Sequence, residues 1–71
     1  MNPVHPKKLL NSKWTASKPV NKLKHFSVCQ VEYDEDQKVS LCILRAEYNA
    51  EELAIDWRQL KDPTLWRQGW V

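Results

Sequence analysis

Phe26-Ser27-Val28-Cys29-Gln30-Val31-Glu32-Tyr33 and Val39-Ser40-Leu41-Cys42-Ile43-Leu44-Arg45-Ala46-Glu47-Tyr48 are two runs of β-branched, aromatic and apolar residues flanking Asp34-Glu35-Asp36-Gln37. Strand-forming side chains on either side of an acidic, turn-forming break are the pattern of a β-hairpin. A two- or four-residue loop sets Cys29 opposite Cys42, Val28 opposite Ile43, Tyr33 opposite Lys38 and Lys24 opposite Glu47. In that register one face carries Phe26, Val28, Val39, Leu41 and Ile43, and the other carries Val31, Tyr33, both cysteines, Leu44, Ala46 and Tyr48. Both faces are then substantially apolar, and a bare ribbon would leave one of them wet. The residues large enough to cover it are the tryptophans with Leu9, Leu10, Leu53, Ile55, Leu60 and Leu65. This predicts a sheet clasped by the N- and C-terminal segments.

Outward from the hairpin, Trp14-Thr15-Ala16 suits a short strand, and Lys18-Pro19-Val20-Asn21-Lys22 reads as a connection because proline cannot donate to a ladder. Residues 1–6 hold two prolines and read as extended or mobile, with Pro6 able to open a helical turn through Leu10. Residues 49–61 can be read two ways. Asn49 as N-cap with Glu52 three residues on and Leu53, Trp57 and Leu60 at helical spacing make an amphipathic helix. Alternatively Leu53, Ile55 and Trp57 alternate as a third strand, with Asp56 capping a short helix that starts at Trp57. Asp62-Pro63 then reads as the N-cap and first position of a helical turn through Arg67, stopped by Gly69. The fold class expected is α+β: one domain over residues 1–71, a small antiparallel sheet centred on the 26–48 hairpin, and short C-terminal helical turns.

A chain of 71 residues has room for one small core, burying only about 60% of the surface it exposes when unfolded. Gly69 is the only glycine, which excludes a glycine-rich phosphate loop. No stretch is long and apolar enough to span a membrane, and the first residues lack the apolar centre of a signal peptide, so a cytoplasmic protein is expected. Cys29 and Cys42 sit inside apolar runs and read as buried thiols in a reducing compartment. A cross-strand disulfide or a two-thiolate metal corner is the minor reading. Zinc wants about four ligands, and His5 and His25 are the only imidazoles. In a strand His25 and Cys29 stand about 13 Å apart, too far to share a metal or to act as base and nucleophile. No catalytic residue, metal or cofactor is expected, and the chain reads as a non-enzyme.

Charge is near neutral in sum and sorted along the chain. Residues 1–25 carry six lysines and no acid (+6), residues 26–56 carry eight acids against Lys38 and Arg45 (−6), and the remainder is +2. Such sorting marks either a surface for an acidic partner or nucleic acid, or a basic segment packed beside an acidic hairpin. Basic residues interleave with aromatics at Lys13-Trp14, Lys24-His25-Phe26, Trp57-Arg58 and Trp66-Arg67, the pattern by which single strands are bound. Alternation of buried rings with solvated charges gives the same pattern without any ligand. The candidate binding surface is Lys7, Lys8, Lys13, Trp14, Lys18, Lys24, Trp66 and Trp70, with Lys22 a further lysine of the nucleic-acid reading; Trp70 is the indole expected to be exposed.

The ordered set Asn2-Pro3, Pro6-Lys7-Lys8-Leu9-Leu10, Ser12-Lys13-Trp14-Thr15-Ala16, Lys24-His25-Phe26, Asp56-Trp57-Arg58, Leu60-Lys61-Asp62, Trp66 and Gly69-Trp70 resembles a family of small bacterial tryptophan-rich proteins. The resemblance spans nearly the whole chain. It implies a stand-alone domain of unknown function with no activity, cofactor or catalytic residue to carry over. It also implies a strand before Asp56-Trp57-Arg58 and helix after it, favouring a third strand near Leu53 to Ile55. Leu23 stands where the family usually has an acid, which removes a carboxylate from beside His25. The expected role is a non-catalytic protein-binding or accessory module, with nucleic-acid binding through the N-terminal lysines as the alternative and self-association a third course.

Overall fold

The computed structural model of the chain describes residues 2–20 and 23–71. Five strands, β1 Lys13–Val20, β2 Leu23–Tyr33, β3 Val39–Ala46, β4 Glu52–Ile55 and β5 Trp66–Gln68, form one antiparallel sheet in the order β4-β3-β2-β1-β5. Two 3-10 turns, Pro6–Lys8 and Trp57–Lys61, are its only helical elements among the described residues. The expected α+β class is therefore corrected to all-β. The helix-start signals are real but local. Asp56 accepts a hydrogen bond from the Arg58 amide at 3.0 Å and opens a turn that closes at Asp62 after five residues. Asp62 caps only the Pro63–Leu65 turn through Thr64, and the chain then extends as β5 instead of continuing helical to Arg67. A run this short gains too little from tertiary burial to propagate a helix whose nucleus is unfavourable. The third-strand reading of Leu53 to Ile55 holds, as β4.

The hairpin forms, in a different register. Phe26, Ser27 and Val28 pair with Ala46, Arg45 and Leu44; Gln30, Val31 and Glu32 pair with Ile43, Cys42 and Leu41; Tyr33 pairs with Val39. Cys29 and Ser40 are the extra residues of two bulges, so Cys29 does not face Cys42. The turn sets the first offset, at Tyr33 and Val39. Asp34 donates its amide to the Lys38 carbonyl (2.8 Å), its carboxylate accepts from the amides of Asp36 and Lys38, and Gln37 takes the left-handed conformation at φ 64°. Three residues thus lie between Asp34 and Lys38, where two or four were expected.

A one-residue slip exchanges the faces of a strand. Phe26 and Val28 share their face with Cys42, Leu44 and Ala46, and Leu41 and Ile43 move to the other side, half-buried. The apolar groups are thereby concentrated on one face. Leu9, which ends the first 3-10 turn, and Leu60, within the second, cover it. Trp14 lies beside Phe26 and reaches the Ser12 hydroxyl with its indole N–H (2.9 Å), and Trp66 meets Phe26 edge-on at 5.2 Å. The least extent of the molecule is 15 Å, enough for one sheet and a thin cover.

β1 is longer than expected and runs through Lys18 and Pro19 to Val20, which pairs with Leu23. The ladder is irregular between Thr15 and Val20, where a proline with no N–H is tolerated. Asn21 and Lys22, read as part of the connection, and Lys22 as a candidate lysine, lie outside the described residues. At the N-terminal end, the Asn2 side chain donates to the carbonyls of Leu60 (3.0 Å) and Trp66 (2.6 Å), and its amide to Lys61 (2.9 Å).

Candidate binding surfaces

Of the eight candidate residues, two are core. Trp14 is 2% exposed and Trp66 8% exposed, so neither indole is a contact surface. The six lysine and tryptophan positions that remain are dispersed over three regions. Lys7 and Lys8 form the first 3-10 turn above the covered face. Lys18 stands at a groove on that same face, and Lys13, Lys24 and Trp70 gather on the open face. Among the described residues, the N-terminal lysines therefore do not make one continuous basic surface. Sorting along the chain becomes sorting across the sheet, because β1, which carries basic residues, and β4, with Glu52 in it and Glu51 and Asp56 flanking it, stand on opposite sides of the central strands. The charges are not cancelled by pairing: Arg58–Asp56 at 3.2 Å is the one ion pair among the described residues.

On the open face, alternation along β1, β2 and β5 aligns Arg67, Thr15 and His25 in one cross-strand row, and Lys13, Ser27 and Arg45 in the next. The segment after β5 folds across these rows. Gly69 (φ 81°) supplies the left-handed residue of that bend, and its amide donates to the Lys13 carbonyl at 2.8 Å. Thr15 brackets the bend, its hydroxyl donating to the Gly69 carbonyl (2.7 Å) and accepting from the Val71 amide (3.1 Å). Trp70 is held by its indole N–H on the Phe26 carbonyl at 2.9 Å. Lys13 Nζ lies 4.5 Å from the centre of the ring, and the His25 ring is 5.9 Å away at 35°. Trp70 remains 43% exposed, as sequence reading expected, but it sits on the sheet and is not a loose end. Thr15 was missed. A threonine in a strand carries no signal for a clamp that closes with residues more than fifty positions away.

The second feature is a groove of about 320 Å³ on the covered face, walled by Ala16, Leu23, Phe26, Leu53, Leu65 and Trp66, with exposed Lys18, Gln59 and Thr64 beside them. Leu53 and Leu65, assigned to the core by sequence reading, are 51% and 46% exposed here. Leu53 projects from β4, an edge strand bonded only to β3.

Neither cysteine is bonded. Cys42 is buried and Cys29 half-buried. Burial pushes the Cys42 thiol up to about 11, with Cys29 and Asp56 nearby adding to the effect. Asp56 is held below the usual carboxylate range by its hydrogen bonds from Arg58, and Asp62 by those from Thr64. Among the described residues no three His, Cys, Asp or Glu side chains gather as a ligand set, and no helix is long and apolar enough to cross a membrane.

Fold and surfaces together define a small all-β module: one sheet with a single buried face, a groove on that face, and a pinned indole on the other. Residues 12–71 match the family described as tryptophan-rich protein (DUF2389), and the chain belongs to this family of unknown function. No curated protein and no solved structure matches the chain.

Proposed function

We propose that the chain is a non-catalytic accessory module of the bacterial cytoplasm that binds a protein partner along the β4 edge and into the adjoining groove. The observation that carries this reading is the pairing of an open apolar groove with an unpaired edge strand. Phe26, Leu23 and Trp66 form apolar walls, while Leu53 and Leu65 stay half in water. A volume of about 320 Å³ suits one large side chain or two small ones and lies at the low end of the range for small-molecule sites.

The β4 edge supplies the complementary main-chain contacts. Ala46 donates to the Glu51 carbonyl (2.8 Å) and accepts from the Ala50 amide (2.8 Å), which fixes the phase of the β3–β4 ladder. Bonded and unbonded pairs alternate in an antiparallel ladder, so Leu53 and Ile55 bond β3, and Glu52 and Ala54 turn their N–H and C=O groups outward. An extended segment can add there as a sixth strand. Glu47, Glu51 and Glu52 make this end of the sheet acidic, which suits a partner strand bearing Lys or Arg. The same acids oppose pairing of β4 with a second copy of itself. Two unbonded cysteines fit a reducing compartment.

A photo-crosslinking side chain at position 53 or 65, compared with one at Glu32 as control, tests the proposal in cells. A protein adduct is expected at 53 and at 65, the adduct at 65 lost in the Leu53→Asp background, and both unaffected by nuclease. Adducts of equal yield at Glu32, or none at either leucine, refute it.

A further inference from the structure

We infer that the open face binds single-stranded nucleic acid, with Trp70 as the stacking ring and Lys13, Lys24 and Arg67 as the phosphate contacts. This surface is separate from the groove and from the β4 edge, and it does not depend on the reading of either. Three observations meet on it.

The first is the ring itself. A tryptophan 43% exposed on a protein surface can be idle if its side chain is free to turn, but Trp70 is fixed by the bond from its indole N–H to the Phe26 carbonyl and by the Thr15 bracket on Gly69 and Val71. An aromatic already immobilised loses little further conformational entropy when a base stacks on it. Every base offers a π-face, so the contact is tolerant of sequence.

The second is the charge around it. Lys13 Nζ lies 4.5 Å from the ring centre. Arg67 occupies the β5 position of the row through Thr15 to His25, and Arg45 ends the neighbouring row. Lys24 and Arg67 border a hollow of about 400 Å³ with Thr15, Ser17, Pro19 and Val71, next to the segment that carries Trp70. Of the side-chain acids, Glu47 accepts from the Ser27 hydroxyl at 3.1 Å and Glu52 stands opposite Arg45 at the far side of the sheet, while an oxygen of Val71 lies 2.9 Å from His25 Nε2. The β1–β5 half of the face is left with Lys13, Lys24 and Arg67 and no facing carboxylate from its own strands.

The third is the shape of the surface. Among the described residues only the 69–71 segment crosses this face, and its cations are spread over three adjacent strands whose spacing is about 5 Å. A flexible single strand can follow such a surface and splay a base onto Trp70. A duplex keeps its bases stacked on one another and cannot use the ring, and an acidic peptide has no matching π-face. The exposed ring beside cations is what selects the single strand over other polyanions.

Fluorescence anisotropy of a short labelled oligothymidylate tests this on the full chain. Three phosphate contacts on a single strand predict binding that weakens about 20-fold between roughly 50 and 200 mM salt. Trp70→Leu is expected to weaken binding by about ten-fold, whereas Trp70→Phe, which keeps a ring, retains most of it. The triple variant Lys13→Gln, Lys24→Gln, Arg67→Gln alters exposed side chains, so it tests the cations even if Trp70→Leu unfolds, and it is expected to flatten the salt dependence. No anisotropy change at low salt overturns the inference. So does undiminished binding by the triple variant, or equally tight binding of duplex DNA or polyglutamate.

Discussion

At the scale of single residues, the two cysteines show how identical side chains separate by position. Cys42 lies between Val31 and Ile55 in the middle of the sheet, and Cys29 is the extra residue of a bulge. A thiolate at Cys42 would lose hydration with no cation to offset it, hence its rise from 9.0 to about 11. The folded state thus holds that proton more tightly than the unfolded chain. The stabilising contribution of the neutral thiol is fully present below pH 9.0 and is lost as pH rises towards about 11. Alkylation with an iodoacetamide reagent near neutral pH, read by peptide mass, is expected to label Cys29 first and Cys42 only under unfolding conditions. Equal labelling rates in the native protein would contradict the burial of Cys42. The aspartates Asp56 and Asp62 act in the opposite direction, since their lowered values place stability above the usual carboxylate range and remove it in acid.

Elements here are decided by turns, and the turns are built almost without glycine. Asn11, Gln37 and Ala50 all take positive φ (68°, 64° and 61°), each in a conformation that costs an L-residue about 1 kcal/mol or more. Ala50 lies in the β3–β4 connection, with its amide on the Ala46 carbonyl. Ala50→Gly relieves that strain at some cost in unfolded-state entropy, leaving a net gain of about 0.5–1 kcal/mol, or a few degrees in Tm by thermal unfolding. A fall in Tm would show that Ala50 is not left-handed in solution. The same feature explains what could be read in the sequence. The strands of the hairpin and β4 were legible from their β-branched and apolar content. Their register was not, because nothing in Asp34-Glu35-Asp36-Gln37 announces that a glutamine will take the left-handed position and leave three residues in the loop. The Ser40 bulge then restores the expected pairing parity from Glu32 to Gln30, and the extra residue at Cys29 puts Phe26 and Val28 on the face of Cys42, Leu44 and Ala46 instead of that of Leu41 and Ile43. The helical expectation at Asp56 and Asp62 failed for another reason: an N-cap signal states where a turn begins and not how far it runs, and that is set by the burial available to it.

For the whole molecule, the division of labour among the tryptophans follows from having one covered face. Trp14 and Trp66 belong to the core, Trp57 packs partly buried against it under Lys61, and Trp70 crosses to the other side of the sheet. The candidate residues were legible as types, since lysines beside aromatics were evident. Their sorting was not, because it depends on which face each strand position takes after two bulges. Both proposed surfaces rest on that sorting: the groove on the face of Trp66, and the single-strand platform on the face of Trp70. Nuclear Overhauser contacts of the four indole N–H protons in protein labelled with nitrogen-15 at tryptophan test it directly. Trp70 is expected to show contacts to Lys13 and His25 and none to the methyls of the covered face. Contacts from the Trp70 indole to the methyls of Val28, Leu44 or Leu60 would place it on the covered face and contradict both surfaces together.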